Sequence, residues 1–350
     1  RASAPLFDVG IFLFHNTDTL IRGGAAPLFY LPKIEHFLEA RLWNEILEYS
    51  ERLMGVPAGT FRVSVLIETL TAALQMEEIL HEMKSRITAL NCGRWDYLFS
   101  FLKCHAHRRE VLLPDRDQLH MGQVTMLACA ELLIDTCHRR GALAIGGMAA
   151  QIPNRHDPKA HAAALAAVTA DKRREVLQGF DGTWVAHPGL VRTARDAFQV
   201  DCRNGPTGLY GYRDRPEALA QRLLSIPCGS VSAQGVRESV RIALLYLESW
   251  FRGEGCVVMR GRMEDAATAE ICRAHLWHLQ HCNATMSGGE VVSPQYLENV
   301  IEKELIELVS KDQIPENAGS SWKDAKETLL RLVLADECEE FFTVKAYERL

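Results

Sequence analysis

The sequence predicts an α/β fold: a (β/α)8 barrel with six of its eight strands visible, followed by an all-helical C-terminal domain. Three observations predict it. Over the first 198 residues, short apolar runs alternate with stretches of helical periodicity, the pattern of parallel βα units. The runs are almost continuously apolar, as strands are when a sheet is covered on both faces. Polar residues and glycines gather at the C-terminal ends of the runs, where barrel enzymes build their sites.

The expected strands are Val9–His15, Pro27–Lys33, Arg62–Glu68, Ala89–Asp96, Gly141–Met148 and Gly182–His187. They end on His15-Asn16, Lys33, Glu68, Gly93–Asp96, Gly146-Gly147 and His187. Helical periodicity fills Ile34–Leu53, Ala72–Ile87, Gln118–Arg140 and Lys159–Leu177, the last entered through Asp157-Pro158. No G-x-G-x-x-G fingerprint appears, which argues against a dinucleotide-binding sheet. The division expected is a partial, catalytic TIM barrel over 1–198, a Gly-, Pro- and Arg-rich linker over 199–216, and a helical domain over 217–350. That last domain reads as Glu217–Ser225, Ala233–Arg252, Asp265–Leu279, Ser293–Lys311 and Ser321–Glu339.

Composition narrows the function. The chain has 350 residues, 47% apolar, and a net charge of −6 with acids and bases well mixed. No basic stripe suggests nucleic acid, and no apolar run is long enough for a membrane span. Ten cysteines occur without a C-x-x-C pair, which fits a reducing compartment. Cys104, His105 and His107 read as a helix surface rather than a metal site.

Glu68 and Asp96 each close an expected strand, and the strands are consecutive. Neighbouring parallel strands bring such ends into one pocket. Two carboxylates there would repel unless a cation joined them. Mg²⁺ takes one or two carboxylates plus waters and substrate oxygens, and could polarise the carbonyl of an α-oxo acid. Gly93 would let the backbone approach a small anion, and the N–H groups around Trp95 and Asp96 could hold its carboxylate. The alternative is that Glu68 simply pairs with a nearby Arg or Lys at the barrel rim.

Five stretches in this order, "LIETL", "LNCGRWDY", "TCHRRGALAIGGMAAQIP", "DGTWVAHPGL" and "MEDAATAEICR", resemble malate synthases of the shorter A type, from about residue 6 to 311 and more weakly beyond. The resemblance implies condensation of acetyl-CoA with glyoxylate and water to malate and CoA, the glyoxylate-cycle reaction, using Mg²⁺. It implies Glu68 and Asp96 as metal ligands, and Gly93, Trp95 and Asp96 at glyoxylate. It implies Asp265 as general base, and Gly147, Met148, Trp184 and Pro188 along the acetyl-CoA channel. Asp265 also reads as a helix N-cap, a place that lowers a carboxylate's pKa.

The chain departs from the family pattern in places. The "RPRGWH" segment with its arginine is absent, as is the strand before it, so a record lacking its natural beginning is expected. Phe180 replaces a histidine, Ser239 and Ala243 replace an asparagine and a glycine, and His278 and Leu279 alter an "IWQW" run. Two other functions compete. One is a Mg²⁺-dependent malyl- or citryl-CoA lyase, disfavoured by the long helical domain and by "MEDAATAE". The other is a catalytically inactive remnant. The expected location is cytoplasmic. Peroxisome or glyoxysome is the alternative, since the final Glu348-Arg349-Leu350 matches a peroxisomal signal only in its last two positions.

Overall fold

The computed structural model describes residues 3–201, 216–311 and 319–349. The first element corrects the strand expected at Val9–His15: these residues lie in helix α1 (Ala4–Arg22). A short apolar run does not by itself distinguish a strand from a packed helix. Here the buried positions are spaced four apart. Val9 packs on the core, and Leu13 and Thr17 are buried behind it. Pro5 sits in the first turn and Gly23 caps the end, so the segment carries helix signals at both termini. His15 and Asn16 therefore do not stand at a strand end.

Five parallel strands remain, β1 (Leu28–Leu31), β2 (Arg62–Ile67), β3 (Ile87–Cys92), β4 (Leu143–Ala149) and β5 (Gly182–Val185), paired in chain order. Between them run α2 (Phe37–Met54), α3 (Leu70–Ala73), α4 (Met76–Glu82), α5 (Trp95–Cys104), α6 (Val124–Arg140) and α7 (Pro158–Gln178). The helix expected over Ala72–Ile87 is thus two short ones, and Ile87 already belongs to β3. The sheet curls into a half-barrel. Tyr30 on β1 and Trp184 on β5, at opposite edges, place their ring centroids 4.3 Å apart. Four strand spacings of about 4.8 Å would keep them far apart on a flat sheet. Val63, Val65, Ile67 and Leu90 from the sheet, with Ile79, Phe101 and Leu133 from the helices, form the main core.

Helix α8 (Val191–Asp201) follows β5, and α9 (Pro216–Leu223) comes next among the described residues. Most of the expected linker, 202–215, lies outside them. Helix α9 packs on the barrel: Leu223 joins its core, and Arg222 pairs with Glu131 of α6 at 2.7 Å. The rest is helical apart from one hairpin that the sequence reading missed. The order is α10 (Ala233–Phe251), β6 (Val257–Met259), β7 (Arg262–Glu264), α11 (Ala266–His281), α12 (Pro294–Lys311), α13 (Gly319–Val333) and α14 (Phe342–Ala346). Helix α13 stops short of the Glu339 expected. Helix α11 is the central member: Leu276 and Leu279 pack in the helical core, while Ile271 and Ala274 pack in the barrel core. Among the described residues no helix is long and apolar enough to cross a membrane.

Below the sheet, Glu51 and Arg86 form a buried pair at 3.0 Å. The Glu51 carboxylate also accepts from the Phe61 and Gly59 N–H groups, tying α2 to the start of β2. Removing one partner leaves a charge buried without its counter-ion. Arg86→Met is expected to lower stability by about 3–5 kcal/mol in urea denaturation.

Candidate active site

Glu68 follows β2 directly and is held from both sides. The Gly93 N–H donates to the Ile67 carbonyl at 3.1 Å. Thr69 caps α3, accepting from the Ala72 N–H at 3.1 Å and donating its hydroxyl to the Ile34 carbonyl at 2.7 Å. Gly93 is required here for space: a Cβ on it would stand 2.5 Å from the Glu68 Cβ. Its N–H is already committed to Ile67, so it is no free donor to an anion. Trp95 and Asp96 differ. They open α5, where the first N–H groups have no intrahelical acceptor and the helix favours negative charge. Asp96 accordingly sits in a helix's first turn, not at a strand end as expected, because β3 stops at Cys92.

The two carboxylates come close enough to act on each other, and Lys33 meets both. Its backbone N–H donates to Glu68 Oε1 at 2.7 Å, and its ammonium donates to Asp96 Oδ1 at 2.7 Å. Lys33 adopts φ 55°, a left-handed conformation that costs a non-glycine residue roughly 1–2 kcal/mol. Glu68 is 4% exposed. Burial, and then the Asp96 charge, push its carboxyl well above the usual range, against the pull of Lys33. The pair has the donor chemistry of a hard-cation site, two carboxylates, though no group of three or more His, Cys, Asp or Glu among the described residues is placed to hold a metal. It also matches the rim-pairing alternative, since a lysine binds there.

Asp265 arrives from the helical region. It caps α11 through the Thr268 N–H at 3.4 Å, and its charge acts on both Asp96 and Lys33. The β6–β7 hairpin hangs it over the barrel. The Met263 N–H donates to the Ala150 carbonyl and the Ile152 N–H to the Gly261 carbonyl, each at 2.7 Å, so the segment after β4 runs along β7. Beside it, the Arg116 guanidinium donates to both oxygens of buried Glu264 at 2.9 and 2.7 Å. Trp95 lies between the Arg94 and Arg116 guanidiniums, 4.1 and 4.7 Å from its ring centre. The N-cap position lowers the Asp265 carboxyl, as expected, but burial and Asp96 outweigh it and the net shift is upward.

The four residues expected along a channel lie on β4, on β5 and in the turn that follows it. Met148 stands opposite Trp184 across β4 and β5, and Trp184 touches Tyr30, whose phenol lies in the Glu68 field. Pro188, itself exposed, begins a 3-10 turn capped by His187 whose last residue, Leu190, is buried. The Gly147 carbonyl accepts from the buried Lys172 ammonium at 2.7 Å and from the Thr183 hydroxyl at 3.2 Å. Lys172 pairs with Glu175 at 3.0 Å, and Glu175 fills the space a Gly146 side chain would take. Sequence reading gave no role to Lys33, Arg116, Glu264 or Tyr30. Only Lys33, at a strand's C-terminal end, carried a signal.

Two outcomes test this geometry. Gly93→Ala forces Glu68 aside and should cost about 1–3 kcal/mol in urea denaturation. Glu175 has its carboxyl pushed up to about 7, by burial first, against Lys172. A raised acid binds its proton more tightly folded than unfolded, so stability should fall as pH rises from about 4.5 to 7. Glu175→Gln should flatten that slope in melting temperatures measured across the range.

The malate synthase TIM-barrel domain family matches residues 1–226, and the malate synthase C-terminal family matches 230–350. The malate synthase of Myxococcus xanthus is 42% identical over 349 residues, which are 99% of this chain and 64% of that protein. The malate synthase of Streptomyces clavuligerus is 43% identical over 348 residues, again 99% and 64%. Malate synthase A of Escherichia coli is 39% identical over 346 residues, 99% and 65%. The chain thus spans 64–65% of the length of these relatives. With two family matches that together take in both halves of the sequence, the chain belongs to the malate synthase family.

Proposed function

We propose that the protein to which this chain belongs is a malate synthase, joining acetyl-CoA, glyoxylate and water into malate and CoA. One observation carries the reading. In a member of this family, two barrel carboxylates, Glu68 and Asp96, meet a third, Asp265, presented by a different part of the chain. In this proposal residues 1–198 form the catalytic barrel and 217–350 the domain that brings the base.

Glu68 and Asp96 would hold Mg²⁺, which when bound polarises the glyoxylate aldehyde. The open N–H groups of Trp95 and Asp96 receive the glyoxylate carboxylate at the start of α5. Gly93 gives Glu68 its place and is a spacer in this reading, not a donor. Asp265 takes a proton from the acetyl methyl group; its raised pKa makes it a stronger base than an exposed aspartate. The carbanion so formed adds to the aldehyde carbon, and water then cleaves the thioester to release CoA. Gly147, Met148, Trp184 and Pro188 offer an apolar path for the thioester arm beside the pocket. The proposed location is the cytoplasm, with the peroxisome or glyoxysome as alternative; the Brassica napus relative is named a glyoxysomal malate synthase.

The test is thiol release from acetyl-CoA that requires both glyoxylate and Mg²⁺. Asp265→Asn should lower kcat by about 10²–10⁴-fold with the fold intact. Glu68→Gln should abolish the Mg²⁺-dependent activity. Full activity in either variant would sink the assignment of that residue. No activity in this chain, set against activity in a longer one carrying the family's arginine segment, would make these residues an incomplete site.

A further inference from the structure

We infer that the Lys33 ammonium is a built-in stand-in cation, which neutralises the Glu68–Asp96 pair until a divalent ion takes its place at Asp96. The inference rests on the reading of those two carboxylates as metal ligands. The residue makes two separable contacts. Its backbone N–H on Glu68 depends on the left-handed turn after β1 and not on the side chain. Its ammonium on Asp96 Oδ1, at 2.7 Å, depends on the side chain alone. The backbone contact orients one ligand; the ammonium occupies the other.

The alternative partners of each acid are few. Glu68 is buried, and Lys33 is the cation that acts on it most strongly among the described residues. Asp96 forms no other ion pair among the described residues. Asp265 also lies in the field of Lys33. The Lys33 ammonium thus binds Asp96 and lies in the field of Glu68 and Asp265. A divalent ion bound to Glu68 and Asp96 adds two positive charges beside that ammonium, and the two cations compete for the same Asp96 oxygens. Lysine suits this exchange: a compact charge on a flexible four-carbon stem, without the rigid fork that would lock an arginine onto a carboxylate. Displaced from Asp96, the ammonium remains in the field of Asp265. Lys33 is in this sense a positioning residue that couples metal entry to the charge around the base.

A merely supporting lysine and a stand-in lysine predict opposite signs. The probe is Mn²⁺, titrated calorimetrically into the 350-residue chain and into its Lys33→Met and Lys33→Gln variants, with the melting temperature followed in parallel. Lys33→Met keeps the backbone N–H on Glu68 and drops only the charge. The expected result is Mn²⁺ binding on the order of tenfold tighter than wild type. The metal-free variant should melt lower, and saturating Mn²⁺ should raise its melting temperature by more than it raises that of wild type. Lys33→Gln, which retains a hydrogen-bond donor toward Asp96, should bind tighter as well, and it serves as the reading if the Met variant does not fold. Equal or weaker Mn²⁺ binding in a folded variant, with wild type still binding, overturns the stand-in role alone. Loss of Mn²⁺ binding in all three chains overturns the metal reading, and this inference with it.

Discussion

Three carboxylates close enough to act on one another, one of them buried, are the constraint around which this molecule is arranged. Two unit charges 4 Å apart repel by about 4 kcal/mol at an effective dielectric near 20. A single hydrogen bond contributes only about 1 kcal/mol net. Hydrogen bonds alone therefore cannot hold Glu68, Asp96 and Asp265 together as anions. The structure answers with a proton or a cation. Glu68 has its carboxyl pushed far up, and Lys33 bends into a left-handed conformation to reach two of the acids. The strain at Lys33 is small beside the repulsion it relieves.

The third acid comes from a separate part of the chain, and its placement is a matter of backbone as much as charge. The hairpin before α11 pairs with the segment that leaves β4, and Arg116 clasps Glu264 next to Asp265. Asp265 is therefore fixed to the barrel by main-chain bonds on one side and an ion pair on the other. Helix α11 continues this link, with side chains in both cores. The carboxylate at its N-terminus would ordinarily be acidified by the helix. Burial and the Asp96 charge act the other way and win. The proton affinity of a carboxylate at the head of a helix is set by what surrounds the helix as well as by the helix itself.

Much of this was legible beforehand. Strands at β2 through β5 follow from apolar runs bounded by glycines and polar residues, and the helices after residue 216 from their periodicity. The Glu68–Asp96 meeting follows from two consecutive βα units. The failures have physical causes. Val9–His15 is apolar in both periods at once, and only burial at Val9, Leu13 and Thr17 shows which period is used. The three-residue strands β6 and β7 are too short to show a pattern.

The sequence by itself determined the family, the succession of βα units from residue 27 onward and the acids that gather at their ends. These depend on local periodicity and on motifs contiguous in the chain. Tertiary structure alone decided that Lys33 joins those acids and that Asp265 is a raised rather than a lowered carboxyl. It also decided that Arg116 and Glu264 tie the two halves together. Lys33 lies 35 residues from Glu68 and 63 from Asp96, and Arg116 lies 148 from Glu264. Charge interactions and desolvation depend on distance through space, and a linear pattern carries no record of which distant groups will share a pocket.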